Sequence, residues 1–525
     1  MDLKEGLKKG LKKGIAVLLL IAFSFTITSC DLSKFNAGKG KSESNNVSKD
    51  DKDGKTETEF KLEDGEILID DMDDESSNEL YEKLFDINNH VLVEIKISDE
   101  ELDKLQDDYE EYSSMNSKSP IYRKVDKLTI TIGDKKYVMS EVGIRQKGNM
   151  SRDALVESDG KLNLSHYRLS FNETFDNEDY YDEVKVWKDD KEREKRKDRT
   201  LATLKEMELK WNRNYDETFV REYYAAEIFR KNNLLVQRMN LTNIHLNDDN
   251  YGVFMMYEPV DKIFLEKNLP EEDLGGDLYK CGWTYSPADY GANVSYGVDD
   301  KDSNEFYNYK LKTNKKTSNH ETLINLLDTL NDDNITKEQY ESVIDTDYMA
   351  RFLAVSYFNG DPDDIRNNYN NHYLYFLKSS GKAIIIPYDN DRCLGVTYSW
   401  NPDGSGMTAE SPYSDMAAGL GRDQENPIIT HGILEDDFIL DDYKKYLSEV
   451  ALMDDWKEEN FEKVYNIAKD NYEDEIEPSI DFDNQKEEFK FALEGELTSD
   501  DDSNISFENY VYEIMDTYEL YKDEK

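Results

Sequence analysis

Apolar and polar residues alternate in several short stretches, and this pattern predicts strands of a mostly antiparallel sheet. Residues 91–97 alternate in this way, and residues 98–101 then begin a helix with a capping-box pattern. Residues 127–132 and 136–142 are predicted to pair as a hairpin around the Gly-Asp dipeptide between them. Further strands are predicted at residues 167–171, 241–246 and 251–257. The N-terminal half is therefore predicted to be a sheet with inserted helices.

Helical periodicity dominates towards the C-terminus. Asp216 can cap a helix over residues 216–232, whose apolar residues lie along one face. From residue 319 onward helices prevail, interrupted by one hairpin over residues 371–387. Three closing segments predict a helical cap: residues 454–474, 484–496 and 506–525.

The hairpin over residues 371–387 leads to a pair of carboxylates. Its returning strand, residues 383–386, is apolar on both faces and should be buried, and Asp389 and Asp391 follow it. Residues two apart in an extended segment face the same side, so these carboxylates can lie together. They would repel each other unless a cation lay between them, and Mg²⁺ or Mn²⁺ is the simplest occupant. The alternative is a pair of solvated turn aspartates, which an acidic chain often contains.

The charge of the chain limits its partners. The formal net charge is −50 and the pI is near 4.4. Nucleic acid is an unsuitable partner, because phosphate backbones are bound by clustered Lys and Arg. A nucleotide site would need a metal ion and a local basic group to offset this field. Cys281 and Cys393 could form a disulfide or remain buried thiols, and the sequence leaves both open.

The N-terminus predicts export. A basic segment precedes an apolar core over residues 15–25. This core is too short for a transmembrane helix, which needs about 20 apolar residues. The segment ending at Cys30 resembles a lipobox, so we expect diacylglycerol on this cysteine and attachment to the outer face of a bacterial membrane. The alternative is an ordinary secretory signal. Residues 31–77 have the composition of a flexible acidic tether.

Seven motifs, in order, resemble those of the spore coat protein kinase (CotH) family over roughly residues 91–447. They are residues 143–151 (GIRQKGNMS), 219–222 (FVRE), 251–254 (YGVF) with 258–262 (EPVDK), 277–280 (DLYK), 359–361 (NGD), 371–375 (NHYLY) and 387–391 (PYDND). The resemblance implies an α+β, atypical protein-kinase-like fold with a mostly antiparallel N-terminal sheet portion and a helical C-terminal portion. The domains would be a signal peptide (1–30), a tether (31–77), a kinase domain (78–450) and a helical cap (451–525).

The activity that the resemblance implies is transfer of phosphate from ATP to Ser or Thr of a surface or coat protein. We expect this protein substrate to be Ser/Thr-rich and basic. Asp389 and Asp391 would hold the metal ion, and Asp361 would take the proton of the accepting hydroxyl. Asn371 would complete the metal shell, or would bond to backbone within its strand. The alternative function is a non-catalytic surface protein that uses the same fold for adhesion or assembly.

The resemblance also implies a phosphate-binding loop. Gly148, with Asn149 and Ser151, would cover the phosphates, since glycine allows close approach of the backbone. Lys147 or Arg145 would supply positive charge there.

Three further residues complete the implied nucleotide site. Glu222 would pair with a phosphate-binding cation, or would form a surface ion pair instead. Lys280 would approach the nucleotide, or would be an exposed strand lysine. A basic residue that the family often has just before the strand at residue 167 is absent, which leaves Arg168 as another cation. Tyr388 replaces the family's usual Trp and keeps an aromatic wall.

Overall fold

The computed structural model describes residues 61–115, 117–148, 152–157, 160–398, 407–414, 425–480, 491–493 and 504–525. Cys30, Asn149 and Ser151 lie outside these residues, so the lipid anchor and two residues of the phosphate loop stay predictions. Phe60 to Lys525 form one compact unit. Within the described ranges, every helix is too short or too polar to cross a membrane.

Twelve strands among the described residues form two sheets. The first has the order β1-β4-β3-β2-β7-β8-β6-β5, and because β4 also pairs with β5, seven of its strands close into a barrel. The second has the order β10-β9-β11-β12 and is antiparallel. The strands are β1 (Glu66–Leu68), β2 (Val91–Lys96), β3 (Arg123–Ile132), β4 (Lys135–Lys147), β5 (His166–Ser170), β6 (Glu206–Trp211), β7 (Met239–Leu246), β8 (Asp249–Tyr257), β9 (Leu278–Cys281), β10 (Tyr309–Leu311), β11 (His372–Phe376) and β12 (Ala383–Pro387).

The two predicted hairpins are confirmed as the antiparallel pairs β3–β4 and β11–β12, and the strands predicted at residues 241–246 and 251–257 pair as β7–β8. Only β1–β4 and β2–β7 are parallel among the described pairs. The sequence did not predict the closure of the barrel, nor β6. Ordered structure also begins before residue 78, since β1 pairs with β4.

Helices of the described residues pack on both sheets, and the last described element is a helix. Those of seven or more residues are α1 (Asp74–Leu84), α2 (Asp99–Ser114), α3 (Asp190–Lys197), α4 (Arg221–Lys231), α5 (Lys262–Asn268), α6 (Glu321–Leu330), α7 (Lys337–Val343), α8 (Thr346–Asn359), α9 (Leu440–Ala451), α10 (Glu458–Ile476) and α11 (Phe507–Tyr521). The predicted start of α4 at Asp216 is wrong. Phe219 has a left-handed φ of 62°, which interrupts helical geometry, and Asp216 instead accepts a bond from the backbone N–H of Arg221 (2.8 Å).

Two large apolar cores form. One fills the barrel, and the other joins α4, α8 and the C-terminal helices. A smaller cluster packs α5 against β11 and β12, where the predicted buried strand is confirmed. Cys281 and Cys393 are buried free thiols, so they do not form the disulfide that the sequence left open.

Candidate active site

A row of polar side chains crosses the outside of the barrel. Arg145 on β4 lies opposite Arg168 on β5, which lies opposite Glu208 on β6. Residues that face each other across a ladder share a side of the sheet, and two-residue steps along a strand keep that side. Lys147 and Lys210 therefore lie on this outer side too, while Leu169, Met207 and Leu209 fill the barrel.

Glu208 is the shared partner of two cations. Its buried carboxylate forms ion pairs with both Lys147 and Arg168. Burial would raise the pKa of Glu208, but Lys147 and Arg168 hold it well below its usual range. Arg168 also contacts Glu206 (3.2 Å), and Arg145 lies over the Tyr122 ring. The predicted cations Arg145, Lys147 and Arg168 are thus brought together.

The second sheet presents a further lysine to this row. The Lys280 ammonium lies 3.7 Å from the centre of the Tyr388 ring, and the hydroxyl of Tyr388 accepts a bond from Lys147 (3.3 Å). Burial lowers the pKa of Lys280 well below its usual range, and the nearby charge of Lys147 adds to this effect, although Glu208 opposes it. No carboxylate of the described residues forms an ion pair with Lys280. Lys280 is half-buried rather than an exposed strand lysine.

Asp389 and Asp391 do lie on one side, as predicted, with the ammonium of Lys210 beside both. Lys210 forms an ion pair with Asp389 and lies 3.6 Å from Asp391 and 3.7 Å from Glu222. Burial alone would raise the pKa of Asp389, but Lys210 and Lys147 bring it below its usual range. Each aspartate side chain is about one-third exposed, so the pair is not fully solvated.

Glu222 is buried on the first turn of α4, so the surface ion pair is wrong. It accepts a hydrogen bond from the hydroxyl of Tyr257, which faces Glu208 across the β6–β8 ladder. Burial raises the pKa of Glu222 to about 7, with Lys210 opposing and Asp391 reinforcing the shift. Glu222 therefore contacts Lys210, not Lys147 or Arg145.

Asp361 follows the end of α8 in a buried loop. Gly360 has a φ of 59°, which ends the helix, and one Asp361 oxygen accepts a bond from the N–H of Asp363 (2.8 Å). The other oxygen, Oδ2, is buried and has no hydrogen-bond partner among the described residues. Burial raises the pKa of Asp361 well above its usual range, and the neighbouring carboxylates Asp364 and Asp363 add to the shift.

Asn371 joins this loop to the carboxylate pair. Its amide nitrogen donates to Asp363 Oδ2 (2.9 Å) and lies 3.5 Å from the carbonyl oxygen of Asp389. Asn371 therefore lies just before β11, bonds mainly to a side chain and borders Asp389, and its role as a metal ligand stays a prediction. Gly148, at the end of β4, has a φ of 98° that favours glycine, as its predicted loop requires.

The donor chemistry fits a hard divalent cation, because the carboxylates of Asp389 and Asp391 both lie beside one ammonium and Asn371 borders Asp389. Among the described residues, however, no three or more His, Cys, Asp or Glu side chains are arranged to hold a metal ion. The metal ligands therefore stay a prediction. Sequence reasoning missed Lys210 and Glu208, although charged and apolar residues alternate through 206–211.

A known protein family matches most of this chain. The family described as "CotH kinase protein" matches residues 144–516, which include the polar row, Asp361 and the aspartate pair. Inner spore coat protein H of Bacillus subtilis (strain 168) is 26% identical over 255 residues, which are 47% of this chain and 63% of that protein. The chain thus covers less than two thirds of this relative. The match over most of its length shows that the chain belongs to the CotH kinase protein family.

Proposed function

We propose that the protein is a metal-dependent, atypical protein kinase with a kinase-like fold, which transfers phosphate from ATP to Ser or Thr. One observation carries the proposal: Lys147 and Lys280 lie close enough to Asp389 to lower the pKa of its carboxyl, and Arg168 is joined to Lys147 through Glu208. Phosphoryl transfer needs little more than positioning and neutralisation of phosphate charge. In a chain of net charge −50, such a local concentration of cations favours an anionic ligand.

Each residue has a role in this proposal. Mg²⁺ or Mn²⁺ neutralises phosphate charge when bound, and Asp389, Asp391 and Asn371 would hold it. Lys210 lowers the pKa of Asp389 and lies beside both aspartates. The unpartnered Oδ2 of Asp361 would accept the proton of the substrate hydroxyl, since its raised pKa favours proton uptake.

Labelled phosphate transfer tests the proposal. Wild type, with ATP and Mn²⁺ or Mg²⁺, should label a basic, Ser-rich protein. Asp389→Asn and Asp361→Asn should each reduce kcat by about 100-fold or more, because charge stabilisation and proton transfer are each worth that much. Asp248→Asn is the control, since Asp248 is an exposed turn residue whose loss should leave the rate unchanged. The proposal is wrong if wild type neither transfers phosphate nor binds nucleotide.

One observation favours a second candidate, a non-catalytic assembly protein. The ammonium of Lys210 already occupies a place beside Asp389 and Asp391, where a metal ion would be required. If Mn²⁺ neither binds nor promotes ATP binding, the assembly function is the better one.

The place of action and the substrate are part of the proposal. The export signal ending at Cys30 and the relative's name, inner spore coat protein H, support action outside the cytoplasm on surface or coat proteins, from a lipid anchor. The acidity of the chain supports a basic acceptor. ATP must then be available on the outer side of the membrane.

A further inference from the structure

The C-terminal segment, residues 504–521, is bonded to the loop that follows Asp391. Asn504 accepts a hydrogen bond from the backbone N–H of Thr397 (2.7 Å) and donates one to the carbonyl of Tyr215 (2.8 Å). The N–H of Ile505 donates to the carbonyl of Gly395 (3.0 Å). Residues 394–397 are therefore held by the far end of the chain.

Arg221 extends this attachment to α4. Its guanidinium is fully buried, and Nη1 donates to the carbonyls of both Ile505 (2.6 Å) and Leu394 (2.9 Å). A hydrogen bond from a charged donor is stronger than a neutral one. Because Glu222 follows Arg221 directly, the same contact fixes the start of the helix that carries Glu222.

Tyr510 on α11 holds the other acidic loop. Its buried hydroxyl donates to the carbonyl of Phe358 (2.9 Å), one of the last residues of α8. The hydroxyl also fills the space beside Gly360, where any side chain would collide with it. The loops themselves are joined, since the N–H of Leu394 donates to the carbonyl of Asn359 (2.8 Å).

We propose that the C-terminal segment is a positioning element of the active site, an inference that rests on the proposed function. It holds the loops bearing Asp361 and Asp391 in one arrangement. No hydrogen bond between described residues joins it to Lys147, Arg168 or Lys280. Weakening its attachment should therefore slow transfer while leaving the cations able to bind nucleotide phosphates.

Tyr510→Phe and Asn504→Ala test this in the full chain. Tyr512→Phe is the matched control, because it removes a hydroxyl from an exposed tyrosine of the same helix. We expect kcat to fall about tenfold to 100-fold in the two test variants, while metal-free ATP affinity stays within about twofold of wild type. Amide hydrogen exchange at Thr397 and Leu394 should be faster in the variants, and the control should match wild type in each measurement.

Wild-type turnover in both test variants would overturn the inference. So would a loss of kcat accompanied by an equal loss of metal-free ATP affinity, because that result indicates general unfolding. If wild type transfers no phosphate, the proposed function fails. The inference is then tested by comparing the Mn²⁺ affinity of wild type with that of the variants. Unchanged Mn²⁺ affinity and unchanged exchange at Thr397 in Asn504→Ala would reject it.

Discussion

Lys210 shows how one buried cation can organise several carboxylates. Burial would lower its pKa, but Asp389 and Glu222 raise the pKa well above its usual range, so the ammonium stays charged. A buried ion pair is stable only while both partners are present, since desolvation of an unpaired charge is costly. From the sequence, Lys210 was indistinguishable from a surface lysine, because its partners are far away along the chain.

Lys210→Met should destabilise the protein by about 3–5 kcal/mol near neutral pH, because it leaves buried carboxylates without a counter-charge. These carboxyls would then have folded-state pKa values above their unfolded ones. Such groups destabilise the fold at neutral pH and do so less as the pH falls and they become protonated. Urea unfolding at about pH 7.5 and about pH 5.5 should therefore show a smaller loss of unfolding free energy at the lower pH.

The matched control for this change is Lys231→Met. The Lys231 side chain is about half exposed and pairs with Asp455, so its loss should cost less than about 1 kcal/mol. If the loss of stability in Lys210→Met grew as the pH fell, the unpaired buried carboxylates would not be its cause.

At the scale of elements, β6 connects the barrel core with the candidate site. Met207 and Leu209 fill the barrel, while Glu208 pairs with Lys147 and Lys210 pairs with Asp389. Alternation of this kind predicted the other barrel strands, but the short charged stretch of β6 was overlooked. The hairpins were predictable because turn residues and alternation are local signals. The closure through β4 and β5 was not, because it depends on pairing between strands distant in sequence.

Glu208→Gln tests the role of this strand in binding phosphate. The variant keeps the shape of the side chain but leaves Lys147 and Arg168 without their shared carboxylate, at a cost of about 3–5 kcal/mol. ATP should raise the melting temperature of the variant more than that of wild type, because its phosphates replace the missing charge. Adenosine, which has no phosphate, should not do so.

The comparison variant for that experiment is Glu194→Gln, which removes an exposed carboxylate paired with Lys197. Its melting temperature should stay close to that of wild type, with the same shift on addition of ATP. Equal ATP shifts in wild type and Glu208→Gln would show that phosphates do not reach the row of cations.

At the scale of the whole molecule, the arrangement of the candidate site residues could not be predicted from the sequence. Motif resemblance named Lys147, Lys280 and Asp389, and the structure brings them around Tyr388. Glu222 lies beside Lys210 and not beside Lys147. This contact depends on how the barrel packs against α4. The contacts of residues 504–521 could not be predicted either, since their helical pattern predicts a cap but no partner.

The net charge of −50 predicts how salt should affect the recognition of an acceptor. Long-range attraction speeds the encounter with a cationic peptide, by about tenfold or more, and salt screens it over about 10 Å at 0.1 M. For a Ser peptide rich in Lys and Arg, kcat/KM should therefore fall about tenfold from about 50 mM to about 300 mM NaCl. A neutral peptide with the same acceptor serine is the control and should change less than about twofold. An equal fall for both peptides would assign the salt effect to ATP or to the protein itself. A neutral peptide that was the better substrate at low salt would instead reject a basic acceptor.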